Sequence, residues 1–265
     1  MSLDINKALE GWPYEPGQVT VRKIRGDDGR EKIQLRLDLG LLQMETAGRP
    51  DGQRPHGSES LLSYYEQKLQ EHRGAQGGDE GFKLDEDTCE QLRTEAVMYY
   101  HRYLAEFVLE DFAAVERDTS RNLRVLDLFT SFAAEESDRH AFEHYRPYIV
   151  MMNTRARAQL ALKDNRPKAA LAIAKLGIDR LKDFYRDVGQ DEMISRSGEI
   201  AVLRAFAKEI QSRLPVDPLN SIKEQLNKAV QEERYEEAAR LRDKLRTLSA
   251  DSSSEGAGPA EQDRQ

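Results

Sequence analysis

Cysteines, long apolar runs and nucleotide-binding loops are largely missing from this sequence. Cys89 is the only cysteine, so no intramolecular disulfide can form and no cysteine-based zinc site can be closed. A lone thiol is typical of a reducing compartment. No apolar run comes near the length of a membrane span, and the first residues do not show the basic and then apolar pattern of a secretory signal. These absences predict a cytoplasmic protein without a membrane partner.

The missing nucleotide-binding loop and the acidic net charge limit the possible functions further. No Gly-x-x-x-x-Gly-Lys-Ser/Thr loop is present, which excludes P-loop ATPase activity. The formal net charge is −8 over 265 residues, and an acidic chain is a poor general binder of nucleic-acid backbones. Charged residues make up 33% of the chain, which favours amphipathic helices with solvated outer faces. We therefore expect a mainly α protein that is not an enzyme and needs no cofactor.

Residues 1–58 are predicted to form a β-hairpin followed by a loop. An extended run over residues 19–24 leads into a turn with an Asp28-Gly29 step, which is a common hairpin signal. Two strands alone are marginally stable, so their apolar face must rest on helices or on a second copy of the chain. The second strand is predicted from apolar residues that alternate with polar ones, namely Ile33, Leu35, Leu37 and Leu39.

Helical periodicity extends over most of the remaining chain. Residues 59–82 predict a helix and then a glycine-rich flexible linker, which begins at residue 72. Residues 83–214 predict a domain of stacked antiparallel helices, the last over residues 191–214, because apolar residues recur at helical spacing and the turns are short. Alanines on both sides of the turn at residues 164–167 resemble a tetratricopeptide-type (TPR-like) helix pair. An irregular helical bundle is the alternative.

Two shorter amphipathic helices are predicted at residues 219–250, separated by a polar turn at residues 231–234. Residues 251–265 contain no large apolar residue and predict a disordered tail. The first helical stripe comprises Leu219, Ile222, Leu226, Ala229 and Val230. The second stripe comprises Tyr235, Ala238, Ala239, Leu241, Leu245 and Leu248.

The second of these helices resembles a known motif. Its sequence over residues 235–245, Tyr-Glu-Glu-Ala-Ala-Arg-Leu-Arg-Asp-Lys-Leu, is similar to the UVR motif of bacterial UvrB and UvrC, with Tyr235 where Phe is commoner. The resemblance implies a helical hairpin that docks a partner protein, as it does in excision-repair subunits and in Clp-type chaperone ATPases and their adaptors. The residues expected to bind the partner are Tyr235, Glu236, Ala238, Ala239, Leu241, Arg242, Asp243 and Leu245.

The resemblance implies a non-catalytic adaptor or scaffold whose partner is a Clp-type ATPase or an excision-repair subunit. Two alternatives stay open for the hairpin. It could pack on the helical domain of its own chain, as a purely structural element. It could also join two copies of the chain, because an exposed apolar helix face is a common homodimer contact.

The loop at residues 48–57 carries a second group of polar residues, and it is rich in glycine and proline. Arg49, Asp51, Arg54 and His56 could hold an anion or a partner carboxylate. The favoured alternative is that Arg-Asp pairing simply fixes the loop to the hairpin.

Two further patterns carry minor hypotheses. Basic residues from Arg22 to Arg36 make the β-ribbon a candidate surface for a DNA-repair-associated nucleic-acid binder, but acidic residues interrupt them and no aromatic residues interleave for stacking. His140 and His144 stand at i and i+4 and could share one helix face, yet such a pair alone is a weak metal signal. We expect no nucleic-acid partner and no metal.

Overall fold

The computed structural model describes residues 4–214 and 218–254. The chain divides into two compact units, Met1–Ser212 and Arg213–Gln265. Most of the described residues are helical, and none of the helices among them is long and apolar enough to cross a membrane. The mainly α class with a small N-terminal β element, predicted from the sequence, is confirmed.

The first unit begins with a short helix, α1 (Asn6–Leu9), and an antiparallel sheet with three strands in the order β1-β2-β3. In the register, Ile33 lies opposite both Lys23 and Met44. One face of the sheet packs its apolar side chains around Ala105 of the helical part. The expectation that the ribbon rests on helices is therefore confirmed. The strands are β1 (Val21–Arg25), β2 (Glu31–Arg36) and β3 (Leu41–Glu45).

The end of β2 and the presence of β3 differ from the prediction. The strand stops at Arg36, and the chain turns so that Leu37 N–H donates to Gly40 O at 2.9 Å. The Asp38 carboxylate accepts the N–H of Leu39 at 2.9 Å, a side-chain turn that competes with strand pairing. Leu39 is consequently 89% exposed. The apolar alternation thus runs through a turn, and the apolar residues just after it belong to a third strand.

Polar caps and prolines set the starts of the long helices. The side chains of Ser60, Asp85 and Asp111 each accept a hydrogen bond from the backbone N–H three residues further on, which satisfies a free donor of the first helical turn. Pro147 and Pro167 stand at the starts of two other helices, where a missing N–H is harmless. The helices are α2 (Leu61–Gln76), α3 (Glu86–Val108), α4 (Phe112–Phe132), α5 (Glu136–His140), α6 (Arg146–Lys163), α7 (Pro167–Asp187), α8 (Met193–Arg196) and α9 (Gly198–Arg213).

The long helices pack in chain order, α3 on α4, α4 on α6 and α6 on α7. Small residues permit the closest of these approaches. Ala156, Ala170 and Ala174 are completely buried, and a Cβ placed on Gly177 would lie only 2.3 Å from Cγ2 of Thr154 across the α6–α7 contact. The alanine-rich pair that suggests a repeat therefore forms a tightly packed part of the core.

Two boundaries of the helical region differ from the prediction. α2 continues to Gln76, five residues into the predicted linker, and Gly77 ends it with a φ of +77°. The short connection that follows is held by an ion pair between Arg73 and Asp79. The helix predicted over residues 191–214 is two helices, because the Ser197 hydroxyl caps α9 by accepting the N–H of Ile200 at 3.2 Å.

The second unit contains a helical hairpin, α10 (Pro218–Gln231) and α11 (Tyr235–Ser254), whose two helices pack on each other. Pro218 is the first residue of α10, a position that suits proline because it needs no N–H donor. The predicted hairpin at residues 219–250 is present. Residues 251–254 of the predicted tail continue α11, and residues 255–265 lie outside those described.

Candidate partner-docking site

The turn of the α10–α11 hairpin is fixed by local polar contacts. Glu233 has a positive φ of 57°, and the N–H of Arg234 donates to Ala229 O at 2.8 Å. The guanidinium of Arg234 pairs with both Glu232 and Glu237. The turn therefore presents its neighbouring side chains in a defined geometry.

Two apolar side chains next to this turn project into solvent. Tyr235, the first residue of α11, is 68% exposed, and Val230, near the end of α10, is 52% exposed. The prediction that Val230 shares one helical stripe with Ala229 is therefore wrong, because Ala229 is completely buried. A single exposed apolar residue is ordinary, but an exposed aromatic side chain and an exposed β-branched side chain on the two sides of one turn are available to a partner.

The residues predicted to bind the partner occupy different environments. Ala238 is 7% exposed, so it serves the close approach of the two helices, whereas Ala239, predicted on the same apolar stripe, is exposed. Glu236 is exposed, and Leu241 and Leu245 are half-buried. Arg242 and Asp243 are both exposed and contact each other at 3.4 Å. The accessible part of the predicted set is therefore Tyr235, Glu236, Ala239, Arg242 and Asp243.

The loop at residues 48–57 is anchored through one of its predicted residues. Arg49 is largely buried, and its Nε lies 3.2 Å from the Asp51 carboxylate and 3.5 Å from Glu95 of α3. Arg54 is exposed. His56 has a φ of +52° and stacks on Tyr64 with ring centroids 4.2 Å apart. The four residues do not converge on one point, which favours the interpretation that Arg-Asp pairing fixes the loop.

A buried ionic network joins this loop to α3 and α4. Arg102, which is 1% exposed, donates from Nε to Asp118 at 2.6 Å and from Nη2 to the same carboxylate at 2.9 Å. Its remaining nitrogen, Nη1, donates to the backbone oxygens of Glu45 and Gly48 at 2.9 and 2.8 Å. Each nitrogen of this guanidinium thus has an acceptor, as a buried charge requires.

A second buried carboxylate lies on α3, about two helical turns before Arg102. Glu95 is completely buried and pairs with Arg121 of α4. It also accepts the N–H groups of Leu61 and Leu62 at 2.8 and 3.3 Å, which are free donors at the start of α2. The aromatic ring of Tyr99 lies near both arginines, 4.8 Å from Cζ of Arg102 and 4.2 Å from that of Arg121. The network therefore locks the sheet, the loop and three helices together.

Glu106 is a carboxyl of this network with a strongly displaced pKa. Burial raises the pKa of Glu106 to about 8, and the neighbouring charge of Asp118 adds to the shift, against the opposing effect of Arg102 and Arg117. One carboxyl oxygen, Oε1, accepts from Arg117 at 3.0 Å, while Oε2 has no hydrogen-bond partner among the described residues. A neutral carboxyl is the less costly form for such an oxygen.

Most basic side chains of the β-ribbon already have partners within the chain. Lys23 pairs with Glu31 at 2.9 Å, and Lys32 pairs with Asp28 at 2.9 Å and with Glu45. Arg30 likewise pairs with Asp28. These pairs compensate three of the six basic residues from Arg22 to Arg36, whereas Arg22, Arg25 and Arg36 donate to uncharged oxygen atoms.

The two histidines considered as a metal pair do not share a helix. α5 ends at His140, and His144 follows in a separate 3₁₀ turn. Within residues 4–214 and 218–254, no three His, Cys, Asp or Glu side chains are grouped so as to hold a metal ion.

Sequence reasoning missed the buried network and the exposure of Val230 at the hairpin turn. Glu95, Arg102 and Glu106 recur at helical spacing on the inner face of α3, together with the core aromatics. Charged residues at core positions are a readable signal, because burial of a charge requires a partner. The partners on α4 could not be identified without the fold.

Comparison with known proteins identifies one module in the chain. Residues 217–251 match the UvrB/uvrC motif, or UVR motif. No curated protein and no solved structure was found to match. The chain thus carries a UVR motif that coincides with the α10–α11 hairpin, and the resemblance drawn from residues 235–245 is confirmed. The UVR motif is a protein-interaction or DNA-repair-related module.

Proposed function

We propose that this chain is a non-catalytic adaptor or scaffold that docks a partner protein through the UVR hairpin, with the helical unit engaging a second protein. A Clp-type ATPase is the first partner to test, and an excision-repair subunit is the second. The observation that carries the proposal is the UVR match over residues 217–251, which falls on a compact unit with its own turn and exposed side chains.

The physics of a small hairpin supports docking. Two short helices bury little apolar area by themselves, and such elements gain stability when a partner covers the rest. Tyr235 is a rigid aromatic with a polar tip, and tyrosine and arginine are among the side chains that most often dominate binding energy. Tyr235 and the exposed Arg242 are about two helical turns apart on α11, within the footprint of one partner surface.

The test is a titration with purified partners. The full chain is labelled and its affinity for a Clp-type ATPase, and separately for UvrB and UvrC, is measured by fluorescence anisotropy. Tyr235→Ala combined with Arg242→Ala removes both exposed anchors and is expected to weaken binding at least tenfold, roughly 1.4 kcal/mol. The matched control, Asn227→Ala combined with Lys244→Ala, changes two other exposed positions of the same hairpin and should bind as the parent does.

The outcomes separate the alternatives. Tight binding of one partner that the anchor variant loses supports the adaptor role and names the pathway. Equal binding by the parent and the anchor variant contradicts docking through this surface. A shift from dimer to monomer in the anchor variant, measured by analytical ultracentrifugation, would instead assign the surface to a homodimer.

The DNA-repair alternative is restricted to an indirect role, without contact between the ribbon and nucleic acid. The pairing of Lys23, Arg30 and Lys32 with carboxylates does not favour direct nucleic-acid binding by the ribbon. A repair role would therefore come through a repair protein bound at the hairpin, which the same titration measures.

A further inference from the structure

One side of the helical unit joins α3 to α6 through aromatic contacts. The rings of Tyr100 on α3 and Tyr148 on α6 lie 6.3 Å apart. Further along both helices, Cζ of Arg155 on α6 lies 4.4 Å from the ring centroid of Phe107 on α3. We call this surface the α3–α6 face, defined by Val97, Tyr100, His101, Phe107, Tyr148 and Arg155.

The α3–α6 face is apolar and partly open to solvent. Val97 is 47% exposed and Tyr100 is 36% exposed. Tyr100 and His101 stand three and four residues after Val97, so the three residues share one side of α3. Tyr148 and Arg155 stand seven residues apart on α6, which places them on one side as well. Exposed apolar side chains such as Val97 and Tyr100 beside the half-buried ring of Tyr148 are typical of interaction surfaces.

The charge on this face is positive and uncompensated. Arg155 is half-buried against Phe107, and no carboxylate in the described part of the chain pairs with its guanidinium. Burial lowers the pKa of Arg155, as expected for a cation without an acidic neighbour, and burial also lowers the pKa of His101, which favours its neutral form. In contrast, Arg146 at the start of the same helix pairs with both Asp127 and Glu143.

Acidic residues are rare in the two helix segments that form this surface. α6 contains no Asp or Glu among its residues, although the chain as a whole is acidic. On α3, the segment from Val97 to Val108 has a single acid, Glu106, which is buried in the ionic network with Arg102. Glu90 lies about two helical turns before Val97, and it already pairs with Arg93 at 2.5 Å. The face therefore carries no acid of its own to meet Arg155.

We propose that the α3–α6 face binds an extended peptide segment of a partner protein that carries a carboxylate beside aromatic or aliphatic side chains. The peptide carboxylate would supply the acceptor that Arg155 lacks, and its apolar side chains would cover Val97, Tyr100 and Tyr148. A charge-assisted pair with a half-desolvated guanidinium is stronger than one in open solvent. The proposal rests on the proposed function and deepens it, because it gives the second docking surface of the adaptor a location and a ligand chemistry.

The test uses two fluorescein-labelled pools of twelve-residue peptides. Both pools vary leucine, tyrosine, phenylalanine and serine at all positions except one central residue, which is glutamate in one pool and glutamine in the other. Anisotropy with the full chain should show binding of the glutamate pool about tenfold tighter than binding of the glutamine pool, a difference typical of a charged hydrogen bond. Arg155→Gln should abolish that difference.

The matched control is Arg157→Gln, which removes the same charge from an exposed position of α6 two residues away and should keep the preference for glutamate. Tyr100→Ala provides a second variant at a more exposed site, and it should weaken both pools. Circular dichroism and thermal unfolding establish that each variant is folded. Equal affinity of the parent for both pools, or a preference that survives Arg155→Gln in the folded variant, overturns the proposal.

Two further measurements distinguish peptide binding at this face from nucleic-acid binding and from docking through the hairpin. A labelled twelve-nucleotide DNA strand that binds more tightly than the glutamate pool and is lost in Arg155→Gln would assign the face to nucleic acid, and would overturn the peptide proposal. The hairpin variant Tyr235→Ala with Arg242→Ala should retain peptide binding. If this variant loses the hairpin partner and still binds the peptides, the two surfaces act independently. One proposal can then fail without the other.

Discussion

The displaced pKa of Glu106 predicts that stability falls as the pH rises. The folded chain holds the carboxyl proton with a pKa of about 8, against 4.5 for an unperturbed glutamate, so the folded state binds more protons than the unfolded state between these values. A raised pKa contributes stability that is complete below the unfolded value and is lost as the pH rises through the folded value. The loss should therefore run from about pH 4.5 to about pH 8.

The magnitude follows from the size of the shift. Each pH unit between the two pKa values costs about 1.4 kcal/mol for one fully linked proton. Burial of Glu106, which is 1% exposed, allows most of that effect, so the free energy of unfolding should fall by about 2 kcal/mol between pH 5 and pH 7. Glu106→Gln keeps a neutral side chain of nearly the same shape and should remove this dependence.

The assay is urea denaturation at half-unit steps from pH 5 to pH 8.5, with the parent, Glu106→Gln and the control Glu90→Gln, which changes an exposed acid of the same helix. The difference in unfolding free energy between Glu106→Gln and the parent should shift towards the variant by about 2 kcal/mol from pH 5 to pH 7. Parallel curves for the parent and Glu106→Gln would show that Glu106 is ionised at neutral pH, and would refute the reasoning from burial. The control should keep the pH dependence of the parent, because an exposed ion pair such as that of Glu90 contributes little to stability.

Two further predictions concern packing within the first unit. Asp118→Ala removes both carboxylate contacts of the buried Arg102 and should lower the free energy of unfolding by about 3–5 kcal/mol. The double variant Arg102→Met with Asp118→Leu should regain most of that stability, as measured by denaturation. If it regains none, an uncompensated buried charge is not the cause of the loss. Gly177→Ala places a Cβ against the side chain of Thr154 across the α6–α7 contact and should cost about 1–3 kcal/mol. Adding Thr154→Ala should recover part of it by thermal unfolding, whereas additive losses would show that the two helices do not meet there.

Several helix ends depend on single residues that are local signals in the sequence. Asp85 caps α3, Pro147 opens α6, and Gly189 follows α7 with a positive φ of 68°. Each of these acts through its own backbone or side chain, without help from distant parts of the fold. The same locality failed at Leu39, since the apolar pattern continues across a turn that the Asp38 side chain creates.

The UVR hairpin could be found from sequence for a different reason. Its residues form a contiguous segment, so the order of aromatic, acidic and small residues over 235–245 can be recognised directly in the sequence. What the order could not tell was which of them faces outward. Val230 follows Ala229 directly, and a step of one residue along a helix separates a completely buried side chain from one that is 52% exposed.

The α3–α6 face and the partners within the buried network could not be identified from the sequence, because both join residues that are distant in the chain. Arg155 and Arg157 look alike in the sequence, and both are cations of the acid-free helix α6. The fold places one against Phe107 and the other in solvent. Likewise, Arg102 gains its acceptors from Asp118 and from the backbone oxygens of Glu45 at the end of β3 and of Gly48.

The two arginines Arg102 and Arg155 show how the same side chain serves opposite purposes. Arg102 has a fixed acceptor for each of its nitrogens, so a new ligand would have to break existing hydrogen bonds, and the site is committed to structure. Arg155 is partly desolvated by an aromatic ring but pairs with no carboxylate of the described residues, so an incoming carboxylate would gain a charged hydrogen bond at a smaller desolvation cost. The satisfaction of each guanidinium, more than its charge or exposure, therefore distinguishes a structural arginine from one able to recognise a partner.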